Sequence, residues 1–425
     1  MTSRERVLRA LSHQEPDRVP VDLGSCGVTG IMVSAYAQLR RGLGVNGAPP
    51  RVSDLIQMLG EVEIAVLEKL GCDVIGLMPL TRTFGITYAN WKAWRLPDGT
   101  EACVPGQFNY LADNNGDLLL SPRGDTSKPP SGRMPKNGYY FDLIPRQQPI
   151  DWDRLNPDEF AEQFKPLPDS ELAYLQETAD RLHRNTDFAI LGSFGERGLG
   201  NLPLVLAPEV DGPKGIRNFD DWLVAHITHP WYVKDINARH AARIIENLEL
   251  FRQAVGDRVV AVYLSGTDFG TQRGEFFSPD IYRELYLPYH KQINDWVHAN
   301  TEWQTFFHSC GSIYRLIPSF IEAGVDILNP VQCSAANMEA ERLKREFGDR
   351  LAFWGGGVDT QKTLPFGTPE EVRGEVAERI RTFAPGGGYV FNPIHNIQAK
   401  APVENVLAMF EAVRDAGRYP IHVSS

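Results

Sequence analysis

The stretch His308-Ser-Cys310-Gly311 is the part of this chain where chemistry is most readily placed. It leaves a short β-prone segment, Gln304 to Phe307, and enters a helical pattern with Ile313, Leu316, Ile317 and Phe320 on one face. Residues two apart on an extended chain point the same way. His308 and Cys310 can therefore aim an imidazole and a thiol at one point, as two ligands of one metal ion would. Gly311 then lets the backbone turn sharply toward the helix.

Positioning such groups requires a scaffold, and the alternation of patterns supplies one. Strand candidates lie near Val21, Ile75, Ala189, Val262, Phe306, Ile327, Phe353 and Val390, the first at Val19 to Leu23. Helical patterns fall between them: Arg4 to Leu11 with Ser3 as N-cap, Ile31 to Leu43, Asp54 to Leu70, Ser170 to Arg184, Tyr232 to Val255, Pro279 to Asn300, Ile313 to Ala323, Met338 to Phe347, Pro369 to Phe383 and Val403 to Ala416. Eight strands alternating with helices predict an α/β fold, a single (β/α)8 TIM-type barrel across residues 1–425. Residues 84–142 break the alternation with aromatics and turn pairs such as Asp98-Gly99 and Asn115-Gly116. A β-hairpin-rich insertion after the second strand is expected there, with Arg123 to Pro135 as a mobile tip.

In such a barrel the strand exits rim one mouth. They carry Asp268 after the fourth strand, His308 and Cys310 after the fifth, Asn329, Gln332 and Cys333 after the sixth, Gly355-Gly356-Gly357-Val-Asp359 after the seventh, and Asn392 with His395 after the eighth. His308, Cys310 and His395 supply three nitrogen and sulfur donors suited to zinc, leaving a fourth place for substrate. Cys333 is a rival third ligand or a quietly buried thiol. Asp268 reads as a general base, a fourth ligand, the partner orienting a histidine, or a turn cap. Asn329, Gln332, Gly356, Asp359 and Asn392 are the expected substrate contacts, and catalysis would fall to Asp268 and His395.

Composition narrows the function classes. Lys and Arg number 43 against 54 Asp and Glu, a formal net charge of −11, with no basic run to track phosphates, so nucleic acid is not the expected partner. The segment Gly192 to Gly200 lacks both the P-loop ending and the dinucleotide spacing, so neither ATP nor NAD is expected, and it reads as a flexible loop beside the site. The N-terminus is an amphipathic helix opening, no apolar run is long enough to span a bilayer, and five scattered cysteines suit reduced thiols. A cytoplasmic enzyme with a small-molecule substrate is the reading.

The opening Ser3-Arg-Glu-Arg-Val-Leu-Arg-Ala-Leu-Ser-His-Gln-Glu-Pro-Asp-Arg-Val-Pro, the block His308-Ser-Cys-Gly, Gly324-Val-Asp326, Gly386-Gly-Gly-Tyr and Pro402-Val-Glu-Asn405 resemble the uroporphyrinogen decarboxylase superfamily. That superfamily has an (α/β)8 barrel and includes the decarboxylase and the cobalamin- and zinc-dependent methyltransferases. The heme-pathway decarboxylase carries an arginine-rich stretch after its first strand, where this chain has Asp22-Leu-Gly-Ser-Cys-Gly-Val-Thr-Gly30. Without those arginines a substrate with many carboxylates has no evident clamp. The methyltransferase branch is similar at His308-x-Cys310, where its members hold zinc with a third, cysteine ligand near the last strand exit. His395 in Pro393-Ile-His-Asn stands there in this chain. The resemblance implies a zinc-dependent methyltransferase acting on a small methylated metabolite. Its methyl group would be carried by a corrinoid (cobalamin) on a separate partner protein. A metal-free decarboxylase or lyase of the same superfamily and a non-enzymatic metabolite-binding barrel are the alternatives.

Overall fold

The computed structural model describes residues 1–195 and 198–421. Seven strands form one parallel sheet in chain order: β1 (Val74–Leu77), β2 (Ala189–Gly192), β3 (Ala261–Ser265), β4 (Gln304–His308), β5 (Ile327–Asn329), β6 (Ala352–Trp354) and β7 (Tyr389–Val390). Nearly every strand residue is buried, as expected of a parallel sheet covered on both faces. One face of each strand packs outward on helices such as Asp169–Asn185, Pro230–Val255 and Pro369–Phe383. The other face fills the barrel with Val74, Leu191, Tyr263, Phe306, Ile327, Trp354 and Val390. Tyr263, Phe306 and Trp354 make successive edge-to-face contacts at 5.6 and 5.4 Å across that interior, each such pair worth about 0.5–1.5 kcal/mol beyond its burial.

The eighth position is where the expectation needs correction. Val19 to Leu23 is not a regular strand; it meets the sheet through isolated bridges. Its backbone still closes the ring. Asp22 N–H donates to Phe391 O at 2.9 Å and Phe391 N–H to Pro20 O at 2.8 Å, while Asp73 N–H donates to Val21 O at 2.7 Å on the opposite edge. Pro20 has no N–H to give, which limits the ladder on this segment. The closure is reinforced by Asp73, whose fully buried carboxylate accepts from Arg6 Nη1 at 2.6 Å, Arg18 Nη1 at 2.6 Å, Ser3 Oγ at 2.8 Å and Val21 N at 3.0 Å. Arg6 is also bridged to Asp17 at 2.7 Å. Arg6, Asp17 and Arg18 of the N-terminal block thus serve this seam, and Val7 and Leu11 of the first helix plug the interior from the same end.

Other boundaries moved for identifiable reasons. The first helix, Ser3–Leu11, is capped by Thr2, whose hydroxyl accepts from Glu5 N while Glu5 accepts from Thr2 N, so Ser3 is inside it. The expected Asp54–Leu70 helix is a short antiparallel pair, Val52–Asp54 with Leu59–Gly60, followed by a helix only from Ile64 to Leu70. The Pro279–Asn300 helix breaks at Tyr286, with Pro288 starting the second piece. Helices Leu202–Leu206 and Phe219–Thr228 add to the region before Pro230.

Between β1 and β2, residues 81–143 hold antiparallel pairs and a four-stranded sheet of Tyr110–Ala112, Leu118–Leu120, Gly132–Met134 and Asp142–Leu143. Phe84, Phe108, Met134 and Phe141 bury together there with Val52 and Leu55. The basic segment 123–135 is tied down rather than loose. Arg123 donates to Glu209 O at 2.9 Å, and Ser131 Oγ to Pro208 O at 2.7 Å. Among the described residues no helix is long and apolar enough to cross a membrane.

Asp73→Asn should cost about 3–5 kcal/mol, because it removes the carboxylate from a buried ion-paired cluster and leaves Arg18 without its partner. Urea denaturation followed by circular dichroism checks this; a loss under 1 kcal/mol would mean that the seam does not depend on the pair.

Candidate functional site

Sheet register sets the site. In the β4–β5 ladder His308 pairs with Asn329, so the two side chains stand side by side inside the barrel mouth. The chain then bends, and Cys310 Sγ comes to 3.2 Å from His308 Nε2. The exits of β3 and β4 are stitched together: Cys310 N–H donates to Asp268 Oδ1 at 2.7 Å, Phe269 N–H to Ser309 Oγ at 3.0 Å, and Ser312 N–H to Thr271 O at 2.7 Å. Asp268 Oδ1 lies 3.6 Å from His308 Nε2. Gly311, at φ +88°, allows this approach; a Cβ there would sit 2.5 Å from the Gly270 carbonyl carbon.

His395 arrives from the exit of β7. The segment carrying it runs beside residues 30–32, with Ile397 N–H donating to Gly30 O at 3.0 Å and Met32 N–H to Ile397 O at 2.8 Å. Asn396 locks that pairing: its Oδ1 accepts from Gly30 N, and its Nδ2 donates to Gly27 O at 2.9 Å and Gln57 Oε1 at 2.8 Å. The rings of His308 and His395 are 5.4 Å apart. Ligand atoms of His308, Cys310 and His395 all lie within 4.8 Å of one another.

Burial decides the charges here. It pushes the His308 imidazole below its ordinary pKa against the pull of Asp268 and Asn329, and pushes His395 down to about 4, with His308 adding to the effect. Burial raises the Cys310 thiol well above its usual range, and the Asp268 carboxylate raises it further. Without a bound cation the group therefore stands as two neutral imidazoles and a thiol, with one half-exposed carboxylate at its edge.

Asp268, His308 and His395 line a cavity of about 840 Å³, a size that suits a small-molecule ligand. Its wall carries the carboxylates Asp54, Asp142, Glu171, Glu209 and Asp268 against the cations Arg82 and Lys165, among the described residues. Glu171 is occupied by the backbone N–H groups of Leu80 and Thr81, and Arg82 by the Pro79 and Ser53 carbonyls. From the glycine-rich segment, Gly195, Gly198 and Gly200 face the cavity; Glu196 and Arg197 lie outside the described residues.

The five expected substrate contacts stand elsewhere. Asn329 is fully buried, with His308 Nδ1 at 2.5 Å from its Oδ1 and Trp354 O at 2.7 Å from its Nδ2. Gln332 accepts from Gly311 N at 2.8 Å, capping the turn after Cys310. Asp359 caps its own turn at Gln361 N and Lys362 N. Gly356 lets backbone approach backbone, donating to Pro330 O at 2.8 Å. Asn392 donates to Asp22 O and Thr29 O inside the barrel. None of the five lines the cavity. Cys333 is outside the His–Cys–His group, and burial lifts its thiol to about 12 among the charges of Arg379, Glu375 and Glu341. Sequence reasoning gave no role to Asn396, Gln57 or Asp22, although an asparagine directly after a site histidine was a usable signal.

Gly311→Ala should destabilise the protein by about 1–3 kcal/mol, the cost of holding a side chain in the left-handed region, and should shift Cys310 away from His308. Thermal unfolding with a crystal structure of the variant checks both; an unmoved thiol and unchanged Tm would show that this turn is not what aims it.

Comparison with known proteins bears on this arrangement. Residues 151–416 match the family model described as Uroporphyrinogen decarboxylase (URO-D). A uroporphyrinogen decarboxylase from Psychromonas ingrahamii is 24% identical over 262 residues, covering 61% of this chain and 68% of that protein. One from Coxiella burnetii is 26% identical over 146 residues, covering 33% of this chain and 38% of its relative. Among solved structures, a methyltransferase from Methanosarcina mazei superposes with a TM-score of 0.54 at 15% identity, covering 98% of this chain and 99% of the other; at that identity the likeness is one of fold. The family match takes in β2 to β7 and with them Asp268, His308, Cys310 and His395, and the chain belongs to the uroporphyrinogen decarboxylase family.

Proposed function

We propose that this enzyme is a zinc-dependent methyltransferase that works with a corrinoid-carrying partner protein on a small methylated metabolite. The observation that carries the reading is the convergence of His308, Cys310 and His395 at one point of the barrel mouth, within 4.8 Å, beside a ligand-sized cavity. A thiol and two imidazoles are donors that zinc favours, and three protein ligands with an open fourth place is the pattern of a catalytic rather than a structural site. His308 Nε2 and Cys310 Sγ, 3.2 Å apart, would part by a few tenths of an ångström to hold one tetrahedral zinc ion, whose N···S edge is about 3.5 Å. The fold likeness to a methyltransferase is consistent with this branch.

Zinc held there would supply Lewis acidity, stabilising the charge on the heteroatom that the methyl group leaves. The rest is done by the chain's own groups. Asp268, fixed by the Cys310 N–H and half exposed, is placed to relay a proton from solvent to the heteroatom that the methyl group leaves. The cavity wall holds the methylated substrate against the mouth, where its methyl group passes to the carrier's lone pair and the bonding electrons of the broken bond stay on the substrate heteroatom.

The relatives' names favour a second reading, a metal-free decarboxylase in which Asp268 and His395 stabilise the intermediate. Against it stands the charge of the cavity, with five carboxylates and two cations among its described lining residues, a poor host for a substrate with many carboxylates.

Protein purified without chelators should carry a single zinc ion by elemental analysis. Cys310→Ser should lose it, together with methyl transfer, while keeping the circular-dichroism spectrum and Tm of metal-free wild type. Wild-type protein that takes up no transition metal when zinc is supplied would overturn the metal mechanism and leave the lyase reading.

A further inference from the structure

We infer that Asn329 is a positioning residue that holds His308 in the Nδ1–H tautomer and so presents the bare Nε2 to Cys310 and the cavity. The assignment follows from what each partner can do. Trp354 O is a carbonyl and can only accept, so the end of the Asn329 amide that faces it at 2.7 Å is the NH₂. The other end, facing His308 Nδ1 at 2.5 Å, is then the carbonyl oxygen, which can also only accept. His308 must donate from Nδ1. A neutral imidazole has one ring proton, so Nε2 is left as a lone pair, aimed at Cys310 Sγ at 3.2 Å. The opposite amide orientation would set the Asn329 oxygen against the Trp354 carbonyl oxygen, in a place with no exposure to water that could relieve it.

The amide cannot easily rotate away. Its backbone lies in β5, paired with His308 on one side, and its NH₂ is anchored to the backbone of β6. Trp354 is itself fully buried, with its indole N–H donating to Asp22 Oδ2 at 3.0 Å. A polar residue ending the apolar run Ile327-Leu328-Asn329 makes sense on these terms: its contacts are both inside the barrel wall.

This inference rests on the metal reading for its consequence and not for its geometry. The test is two-bond ¹H–¹⁵N correlation spectroscopy of the metal-free protein at pH 7.5, with His308 assigned by its loss in His308→Gln, alongside zinc titration against a competing chelator. Wild type should show protonated Nδ1 and bare Nε2. Asn329→Leu should give mixed tautomers and a zinc affinity about 10- to 100-fold lower. Asn329→Asp keeps an acceptor facing Nδ1 but sets its second oxygen against the Trp354 carbonyl, so it should keep the Nδ1–H tautomer while lowering stability. An Nε2–H tautomer in wild type overturns the proposal, as does an Asn329→Leu protein with unchanged tautomer and affinity. Should the leucine variant not fold, the wild-type and aspartate spectra still decide. Failure of wild type to bind zinc, with Nδ1 protonated, sinks the metal reading and leaves the tautomer assignment upheld.

Discussion

The ring of this barrel is completed by a closure made by three residues. Seven strands curl but leave a gap between β7 and β1, and Pro20 to Asp22 bridges it with two hydrogen bonds to Phe391 and one from Asp73. The ladders of β6 and β5 already tie the exit of β7, which carries His395, to the exit of β4, which carries His308 and Cys310; the bridge joins β7 to β1 on the other side and completes the ring. A seam this short gains little from backbone pairing alone, each net bond contributing about 0.5–1.5 kcal/mol. The fully buried Asp73 carboxylate compensates by collecting two guanidiniums, a hydroxyl and the Val21 N–H at the same place.

The seam also reaches the site through side chains. Asp22 belongs to the closing segment, and burial raises its carboxyl to about 6 although Ser25, Trp354 and Thr29 pull the other way. It fixes the Trp354 indole, the Trp354 carbonyl fixes Asn329, and Asn329 fixes His308. On the other flank Asp22 accepts from Ser25, and Thr29 and Asn396 hold the loop that follows. That loop lies so tightly on β1 that a Cβ at Gly76 would meet Ser25 O at 2.1 Å. Where the heme-pathway decarboxylase is expected to place arginines, this chain has a compact turn of small residues whose polar atoms face one another.

The sequence made the barrel legible because parallel strands and amphipathic helices leave strong periodic signals, and seven of the eight expected strands are regular strands of the sheet. The exception was Val19 to Leu23, where the apolar alternation was right but a proline and a neighbouring salt-bridge cluster replaced ladder pairing. His308, Cys310, His395 and Asp268 were legible because strand exits of a barrel converge, whatever the intervening loops do. The role of Asn329 was not. Whether a polar residue at a strand end points at ligand or at a neighbouring strand depends on register, and a register set by cross-strand pairing over 21 positions leaves no mark within either segment.

The site's electrostatics bear on how a cation would be held. Two imidazoles with depressed pKa values, His308 buried and His395 half-buried, already sit in the neutral form a metal needs, so they would lose no proton on binding near neutral pH. Only the Cys310 thiol must ionise, and its proton faces a bare Nε2 at 3.2 Å and a carboxylate beyond it. Asp268 therefore acts in two opposed senses. Its charge raises the thiol pKa, and the same charge would offset the positive charge of a cation held by His308, Cys310 and His395. A site built this way resists ionising on its own, and a cation held by the two imidazoles would be what turns Cys310 to the thiolate.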